Sequence, residues 1–452
     1  MQAVQTTAPP AAAPAPLHVP AQATRPRRAR RGDDGCERHP ASADRPPRVL
    51  VVTGSVGAGH NGAANELTRR LTDLGLEVSC RDYLDTLPRR YRRLLQDGYE
   101  FSAGKMPWFF EWLFQNEEHD SVVRSLTLYL CKLASRELGR WVDEGWDAVV
   151  TTFPFAAQSM GLLTEEGALT VPTVCYLTDP APHRLWIHPK VQVHLTVTEA
   201  TAAEGRDRYG VPMAAAGPLA CDSFAASLPA AERAALRAEL GVPDEELMAL
   251  LMTGSMGLGD VTASVEALRA VDGVTPVVLC GRNERLRQKL SALPNVVALG
   301  WRTDVPALMG AADVLVHNAG GLSFTEALVA GLPAVSYEVI SGHGRANAAT
   351  LAASGLAPWP RDRQALAHAL AEQAARGRVH LEPLPEHRQA AHVVADLARD
   401  WHAKHAASHA AATGTARAGS RATRLLTAGA ERLRLRRPAP LTEPAARVPR
   451  RA

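Results

Sequence analysis

Residues 46–84, PPRVLVVTGSVGAGHNGAANELTRRLTDLGLEVSCRDYL, decide the reading of the fold. The run Arg48–Thr53 is short and almost wholly apolar, the pattern of a strand buried on both faces. A glycine loop follows, then a helical segment with Ala63, Ala64, Leu67 and Leu71 on one face. A second strand is expected at Glu77–Arg81. Strand, glycine loop, helix and strand form the unit of a parallel sheet covered on both faces. Strands are expected to continue at Asp147–Thr152, Thr173–Thr178 and Val193–Thr198. After a break at Gly217-Pro218 and a connecting helix at Ala230–Leu240, the grammar restarts. Strand Leu247–Thr253 leads into a glycine loop, GSMGLG, and a helix at Val261–Val271. Further strands are expected at Thr275–Cys280, Val296–Leu299, Val314–Val316 and Ala334–Tyr337. The expected fold is α/β, with two doubly wound, Rossmann-like domains facing one another across a cleft. Residues 48–218 form the first domain and 219–400 the second. Residues 1–47 are expected to be a disordered extension, and 401–452 a basic Ala/Arg-rich tail. Ligands of such sheets bind outside the carboxyl ends of the strands, which places the site in the cleft.

A chain of 452 residues is long enough for two domains with tails. With 46% hydrophobic and 21% charged residues it can fill a core, which excludes wholesale disorder. No run reaches the ~18 uninterrupted apolar residues of a spanning helix. Prolines break the opening MQAVQTTAPPAAAPAPLHVP, so no signal peptide is expected. The six cysteines stand singly, as reduced thiols of a cytosolic protein would. The net charge of +3 is unevenly spread: residues 1–48 carry +4 and 403–452 carry +9, leaving about −10 for 49–402. A mildly acidic body argues against nucleic acid as a partner. Residues 416–437 read either as a solvated tail or as a short basic helix attracted to an anionic membrane.

Three constellations can carry chemistry. The first is Gly54-Ser-Val-Gly57-Ala-Gly59-His60. Amides exposed at a helix start suit an anion, and an imidazole at that junction can act as a general base near neutral pH. A tight packing turn with a capping histidine is the other reading. The second is Thr253-Gly254-Ser255-Met-Gly257-Leu-Gly259, which lacks the Lys-Ser/Thr of a P-loop and the spacing of a dinucleotide fingerprint. Its amides and the Ser255 hydroxyl can hold a diphosphate. The third runs from Gly300-Trp301-Arg302 through His317 and Gly320-Gly321-Leu-Ser323-Phe-Thr-Glu326-Ala to Gly331-Leu-Pro333. Glu326, in the first turns of a helix, can accept two hydrogen bonds from a ribose cis-diol, or can simply satisfy the helix terminus. Gly342-His343-Gly344-Arg345-Ala346-Asn347 follows the next strand with polar groups for a sugar.

These motifs together resemble the GT-B glycosyltransferases that use UDP-sugars. They resemble most closely the monogalactosyldiacylglycerol synthase group, whose relatives include bacterial diacylglycerol glucosyltransferases and, more distantly, the lipid II GlcNAc transferase. Gly57-Ala-Gly59-His60 is similar to the group's G-x-G-H loop, and residues 88–119 to its aromatic acceptor-side segment. Thr178-Asp179, His183 and Trp186 match a T-D-x-x-x-H-x-x-W run, and Gly331 to Asn347 a donor-sugar loop. The resemblance covers about residues 48–400.

The resemblance implies an inverting transfer with no bound metal and no cofactor besides the UDP-sugar donor. His60 would deprotonate the acceptor hydroxyl as it attacks the sugar C1. Ser255, Gly257 and adjacent amides would hold the diphosphate, the backbone around Trp301 and Arg302 the uracil, and Glu326 the ribose. Arg302 and His317 would be further donors toward the phosphates. Gly254, Gly320, Gly321, Ser323, His343 and Asn347 complete the expected donor side. Gly59, Trp108, Phe109, Trp112, Asp179 and His183 form the expected acceptor and membrane side. No carboxylate pair at D-x-D spacing occurs in the loops. Relatives usually carry Gln-Glu or Gln-Gln where this chain has His343-Gly344, so the choice among glucose, galactose and GlcNAc stays open.

Arg89, Arg90, Arg92 and Arg93 precede the cluster Trp108, Phe109, Phe110, Trp112 and Phe114. Basic residues beside aromatics suit an anionic bilayer surface, while a helix core is the other reading of the same aromatics. The expected function is a glycosyltransferase acting on a lipid such as diacylglycerol, peripheral on the inner face of the cell membrane. The alternatives are a non-lipid acceptor, a UDP-sugar epimerase of the same architecture, or a non-catalytic sugar-nucleotide or lipid binder.

Overall fold

The computed structural model describes residues 45–254 and 259–406. The first domain holds strands β1 (Arg48–Thr53), β2 (Glu77–Asp82), β3 (Ala148–Thr151), β4 (Thr173–Tyr176), β5 (Val193–Thr196) and β6 (Met213–Ala215). Its helices are α1 (Ala58–Asp73), α2 (Arg89–Lys105), α3 (Pro107–Glu117), α4 (Val122–Val142), α5 (Pro154–Glu165) and α6 (Glu199–Tyr209). The second domain holds α7 (Ala230–Leu240), β7 (Leu247–Met252), α8 (Val261–Arg269), β8 (Val274–Leu279), α9 (Glu284–Ser291) and β9 (Val297–Leu299). It continues with α10 (Val305–Ala311), β10 (Val314–His317), α11 (Gly321–Val329), β11 (Ala334–Ser336), α12 (His343–Ala353) and α13 (Arg363–Arg376). A last helix, α14, spans residues 390–406.

The sheets run β2-β1-β3-β4-β5-β6 and β11-β10-β7-β8-β9, with every pairing parallel. Each order reverses at its first strand, so β1 meets β3 and β7 meets β10 at the two switch points. The loops after β1 and β10 leave the sheets there, where doubly wound folds bind ligands.

The burial explains the sequence pattern. Val49, Leu50, Val51 and Val52 are all fully buried because helices cover both faces of β1. Ala63, Ala64, Leu67 and Leu71 of α1 pack on one of those faces, and the two leucines contribute about 1.5–3 kcal/mol each. Tyr83, Leu138, Phe153 and Met160 fill the other face.

Two features depart from the sequence reading. β6 adds a sixth strand to the first sheet through a three-residue pairing. The chain also returns to the first domain before residue 400. Ala390, Ala391, Val394, Ala395 and Ala398 of α14 belong to the core around β1 and α1. Asp147 fastens that return: Arg45 donates to it at 2.7 Å, the Arg48 amide at 2.8 Å, and His402 Nδ1 lies at 3.3 Å. The linker at Gly217 is held from the first sheet, where Tyr176 Oη donates to the Gly217 carbonyl at 2.7 Å and accepts from Leu219 N at 3.1 Å. The expectations for residues 1–44 and for the tail from 407 lie outside the described residues.

Candidate active site

The carboxyl ends of the two sheets enclose a cavity of about 520 Å³, within the range of small-molecule sites. Gly59, His60, Tyr99, Thr178 and Asp179 line it from the first domain. Gly254, Trp301, Arg302, the α11 terminus and His343 line it from the second.

His60 stands in the first turn of α1, whose cap residue Gly57 offers no side chain to the exposed amides. Its ring sits 5.1 Å from Phe153 and 5.6 Å from Trp186, centroid to centroid. Nδ1 lies 2.8 Å from the Thr152 carbonyl oxygen, and Thr178 Oγ1 is 3.2 Å from the same nitrogen. A carbonyl oxygen only accepts, so Nδ1 carries the proton and Nε2 keeps the lone pair. Burial lowers the pKa of His60, opposed by the Asp179 charge and the Thr152 carbonyl, while His343 pushes it down again. The ring is therefore neutral at pH 7, with a basic nitrogen in a residue that lines the cavity.

On the opposite wall, the cap of α11 is Gly320, again without a side-chain cap. Gly320, Gly321 and Ser323 present an open helix terminus, a ready anion site. The α8 terminus differs: Asp260 accepts from the Ala263 amide at 2.8 Å and closes it with a carboxylate. Glu326 lies one turn into α11 and lines the cavity. Burial alone raises its pKa to about 7, and among the described residues no cation beside it offsets the burial.

The remaining expected residues separate into two sets. Trp301 lines the cavity, half-exposed, with the Arg282 guanidinium 4.6 Å from its ring centroid. Arg302 also lines it, but its guanidinium is paired with Asp304 (Nε to Oδ1 2.7 Å), which raises its pKa and holds it as part of the wall. Asp179 accepts from Trp186 Nε1 at 3.0 Å. Ser255 and Gly257 lie outside the described residues.

Six of the expected residues lie off the cavity. His317 is fully buried beneath it against Ser336 Oγ at 3.2 Å, and burial lowers its pKa to about 4, so it offers the phosphates no charged donor. Asn347 is fully buried between the domains: its Oδ1 accepts from Ala181 N at 3.0 Å, and Nδ2 donates to Ala319 O at 3.0 Å and to Asp179 Oδ1 at 3.3 Å. Its polar atoms are taken up by the protein, which makes it an interdomain clip in place of a sugar ligand. His183 caps the short turn after it, accepting from Leu185 N at 3.2 Å, and its Nε2 meets the Phe114 carbonyl at 3.2 Å. Trp108, Phe109 and Trp112 stand on α3 outside the cavity; Trp108 is 72% and Trp112 49% exposed. Leu94 and Phe101 of α2 and Val122, Leu126 and Tyr129 of α4 are exposed as well.

The sequence reading missed Tyr99 and the Thr152 carbonyl. Tyr99 sat within a segment read only for its aromatic and basic clusters, and a backbone carbonyl leaves no mark in residue types.

Gly321 sets how closely the domains approach. A Cβ there would stand 2.2 Å from the Thr178 carbonyl oxygen of the other domain, a distance that backbone atoms cannot tolerate. Gly321→Ala should therefore push the walls apart and lower kcat by about 100-fold, the scale of a 1 Å misplacement. Steady-state kinetics beside a thermal melt would separate this from unfolding.

The family model for monogalactosyldiacylglycerol (MGDG) synthase matches residues 60–215, and that for glycosyl transferases group 1 matches residues 249–375. The processive diacylglycerol beta-glucosyltransferase of Bacillus subtilis (strain 168) is 25% identical over 320 residues, covering 67% of this chain and 80% of the relative. Monogalactosyldiacylglycerol synthase 1, chloroplastic, of Arabidopsis thaliana is 24% identical over 383 residues, covering 75% and 67%. Among solved structures, the glycotransferase of kitacinnamycin superposes with a TM-score of 0.50 at 16% identity, covering 80% of this chain and 96% of that one. The cleft between two switch points and these matches lead to one conclusion: the chain is a glycosyltransferase of GT-B fold, whose residues 60–215 match the MGDG synthase model and residues 249–375 that of glycosyl transferases group 1.

Proposed function

We propose that the protein transfers a sugar from a UDP-sugar to a lipid hydroxyl, with diacylglycerol as the acceptor, by a single inverting displacement. The carrying observation is His60: its Nδ1–H is committed to the Thr152 carbonyl, and its Nε2 lone pair belongs to a ring facing an uncapped helix terminus across the cavity. Nε2 takes the acceptor hydroxyl proton as the oxygen bonds to the sugar C1. The bond from C1 to the diphosphate oxygen breaks, and UDP leaves with the bonding pair. The amides at Gly320, Gly321 and Ser323 stabilise the diphosphate charge, a task that dipoles in a closed site can perform without a metal ion. Glu326 accepts from the ribose diol, and the Trp301–Arg302 wall takes the uracil. The names of the Bacillus and Arabidopsis relatives support diacylglycerol as acceptor.

The exposed apolar face over α2, α3 and α4, with the basic Arg89, Arg90 and Arg93 on the α2 end, suits the anionic inner face of a cell membrane. Among the described residues no helix is long and apolar enough to cross a membrane; the proposed attachment is by this face.

Lipid mass spectrometry tests the reading. Purified protein is incubated with anionic, diacylglycerol-containing vesicles and UDP-glucose, UDP-galactose or UDP-GlcNAc separately. A hexosyl- or HexNAc-diacylglycerol is the expected product, and release of UDP without any glycosylated lipid overturns the acceptor. Trp108→Glu with Trp112→Glu should reduce vesicle co-sedimentation at least tenfold and leave UDP binding unchanged.

A further inference from the structure

Helix α3 has two faces with different surroundings. Trp108 and Trp112 stand outward. Phe110, Glu111 and Phe114 reach across the cleft to the turn that starts α12 in the second domain. Glu111 Oε2 accepts from the Gly342 amide at 2.7 Å, with Arg345 Nε at 3.6 Å, and its Oε1 accepts from Gln115 Nε2 at 2.9 Å. Gly342 is the cap residue of α12 and supplies no side chain of its own, so the first domain furnishes the carboxylate at this terminus. Gly342 has φ 69°, and a Cβ there would stand 3.0 Å from Phe110 and from Phe114, so α3 sits directly on the turn.

The next residue is His343, which lines the cavity. Its ring lies 5.8 Å from Phe110, 6.2 Å from Tyr99 and 6.4 Å from Phe114, within a wall made by the first domain. It is also close enough to His60 to lower the pKa of that ring. The second domain's contribution beside the catalytic base is thus seated by side chains of the first.

We propose that Glu111 is a positioning residue of the transfer reaction: from α3 it fixes the Gly342 turn, and through that turn the place of His343 opposite His60. The inference rests on the transferase reading. Without the carboxylate the Gly342 amide loses its partner, the turn is free to shift, and alignment at the reacting end suffers, while the α11 terminus and Glu326 are untouched.

The test compares Glu111→Ala and Glu111→Gln with the wild type in three measurements: calorimetric UDP affinity, kcat and KM for UDP-sugar turnover, and thermal melting. Glu111→Ala should keep UDP affinity within about twofold and lose about 10- to 100-fold in kcat, as misalignment near 1 Å does. In Glu111→Gln the amide oxygen still accepts from Gly342, and kcat should recover to within about threefold of wild type. An unchanged kcat in Glu111→Ala overturns the proposal. So does a parallel loss of UDP affinity and melting temperature, which marks a merely structural role. A wild type that neither binds UDP nor turns over a UDP-sugar would fail the transferase reading, and the proposal with it.

Discussion

Replacing His60 by alanine should abolish transfer and leave the nucleotide bound: kcat falls by about 10²- to 10⁴-fold, the usual worth of a positioned base, and UDP affinity stays within a fewfold. The reason lies in how the ring is held. The Thr152 carbonyl fixes the tautomer, Phe153 and Trp186 fix the plane, and the α11 terminus proposed to hold the diphosphate belongs to the opposite wall. Loss of the imidazole therefore removes a proton acceptor without disturbing the diphosphate site. His60→Gln fills the same space without a titratable nitrogen and should be as inactive, which separates lost basicity from a packing defect. The pH dependence gives a second check. Burial is the leading cause of a pKa below 6.5, so the base is already deprotonated at pH 7. With UDP-sugar saturating, so that the Glu326 titration does not enter, turnover should be flat between pH 7 and 8 and fall only on acidification below the ordinary histidine range. A variant with normal turnover would remove His60 from the mechanism.

Much of this arrangement was legible because the residues behind it are fixed in type. Val49 to Val52 can be nothing but a buried strand, and the switch-point loops follow from strand order. His60 and Glu326 were legible as polar groups at helix starts next to glycine turns. The misses have physical reasons. Asn347 and His317 sit in the same polar runs as the cavity residues, and only the fold decides that Asn347 bonds Ala181, Ala319 and Asp179, or that His317 points beneath the floor. Residue type reports what a side chain can bond, not which partner reaches it first. The sequence reading sets residues 390–400 in the second domain and 401–406 in the tail, with no helix marked there, and alanines provide most of the buried face of α14. Small side chains leave a weak amphipathic pattern, so nothing marked that face as a match for α1 and β1. The coupling of α3 to Gly342 joins positions 231 residues apart, a distance that no local pattern spans.

Glu326→Gln should move stability and binding in opposite directions. Burial raises this carboxyl from the ordinary 4.5 to about 7. In the empty protein the native state thus binds more protons than the unfolded chain between those values, and stability declines as pH rises through that window. The penalty is fully present above pH 7 and absent below the unfolded value. Glutamine carries no charge, so the empty variant should melt higher than wild type at pH 8 and nearly alike at pH 4.5. Nucleotide binding runs the other way. An ionised carboxylate accepting two hydroxyl donors from a ribose is worth about 2 kcal/mol, or roughly 30-fold in affinity, over a neutral amide. The diol stabilises the charged form, so binding should pull the carboxyl pKa down and wild-type UDP affinity should rise from pH 6 to pH 8. The variant should bind roughly 30-fold more weakly at pH 8, with little pH dependence. Calorimetry at pH 6, 7 and 8, paired with melting curves of the empty proteins, reads both effects. A variant that melts higher and keeps wild-type UDP affinity would leave Glu326 buried for some purpose other than the ribose. A variant that loses both would make it a structural residue of α11. Only the opposed pair of changes fits a carboxylate held in an unfavourable site because its ligand supplies the missing donors.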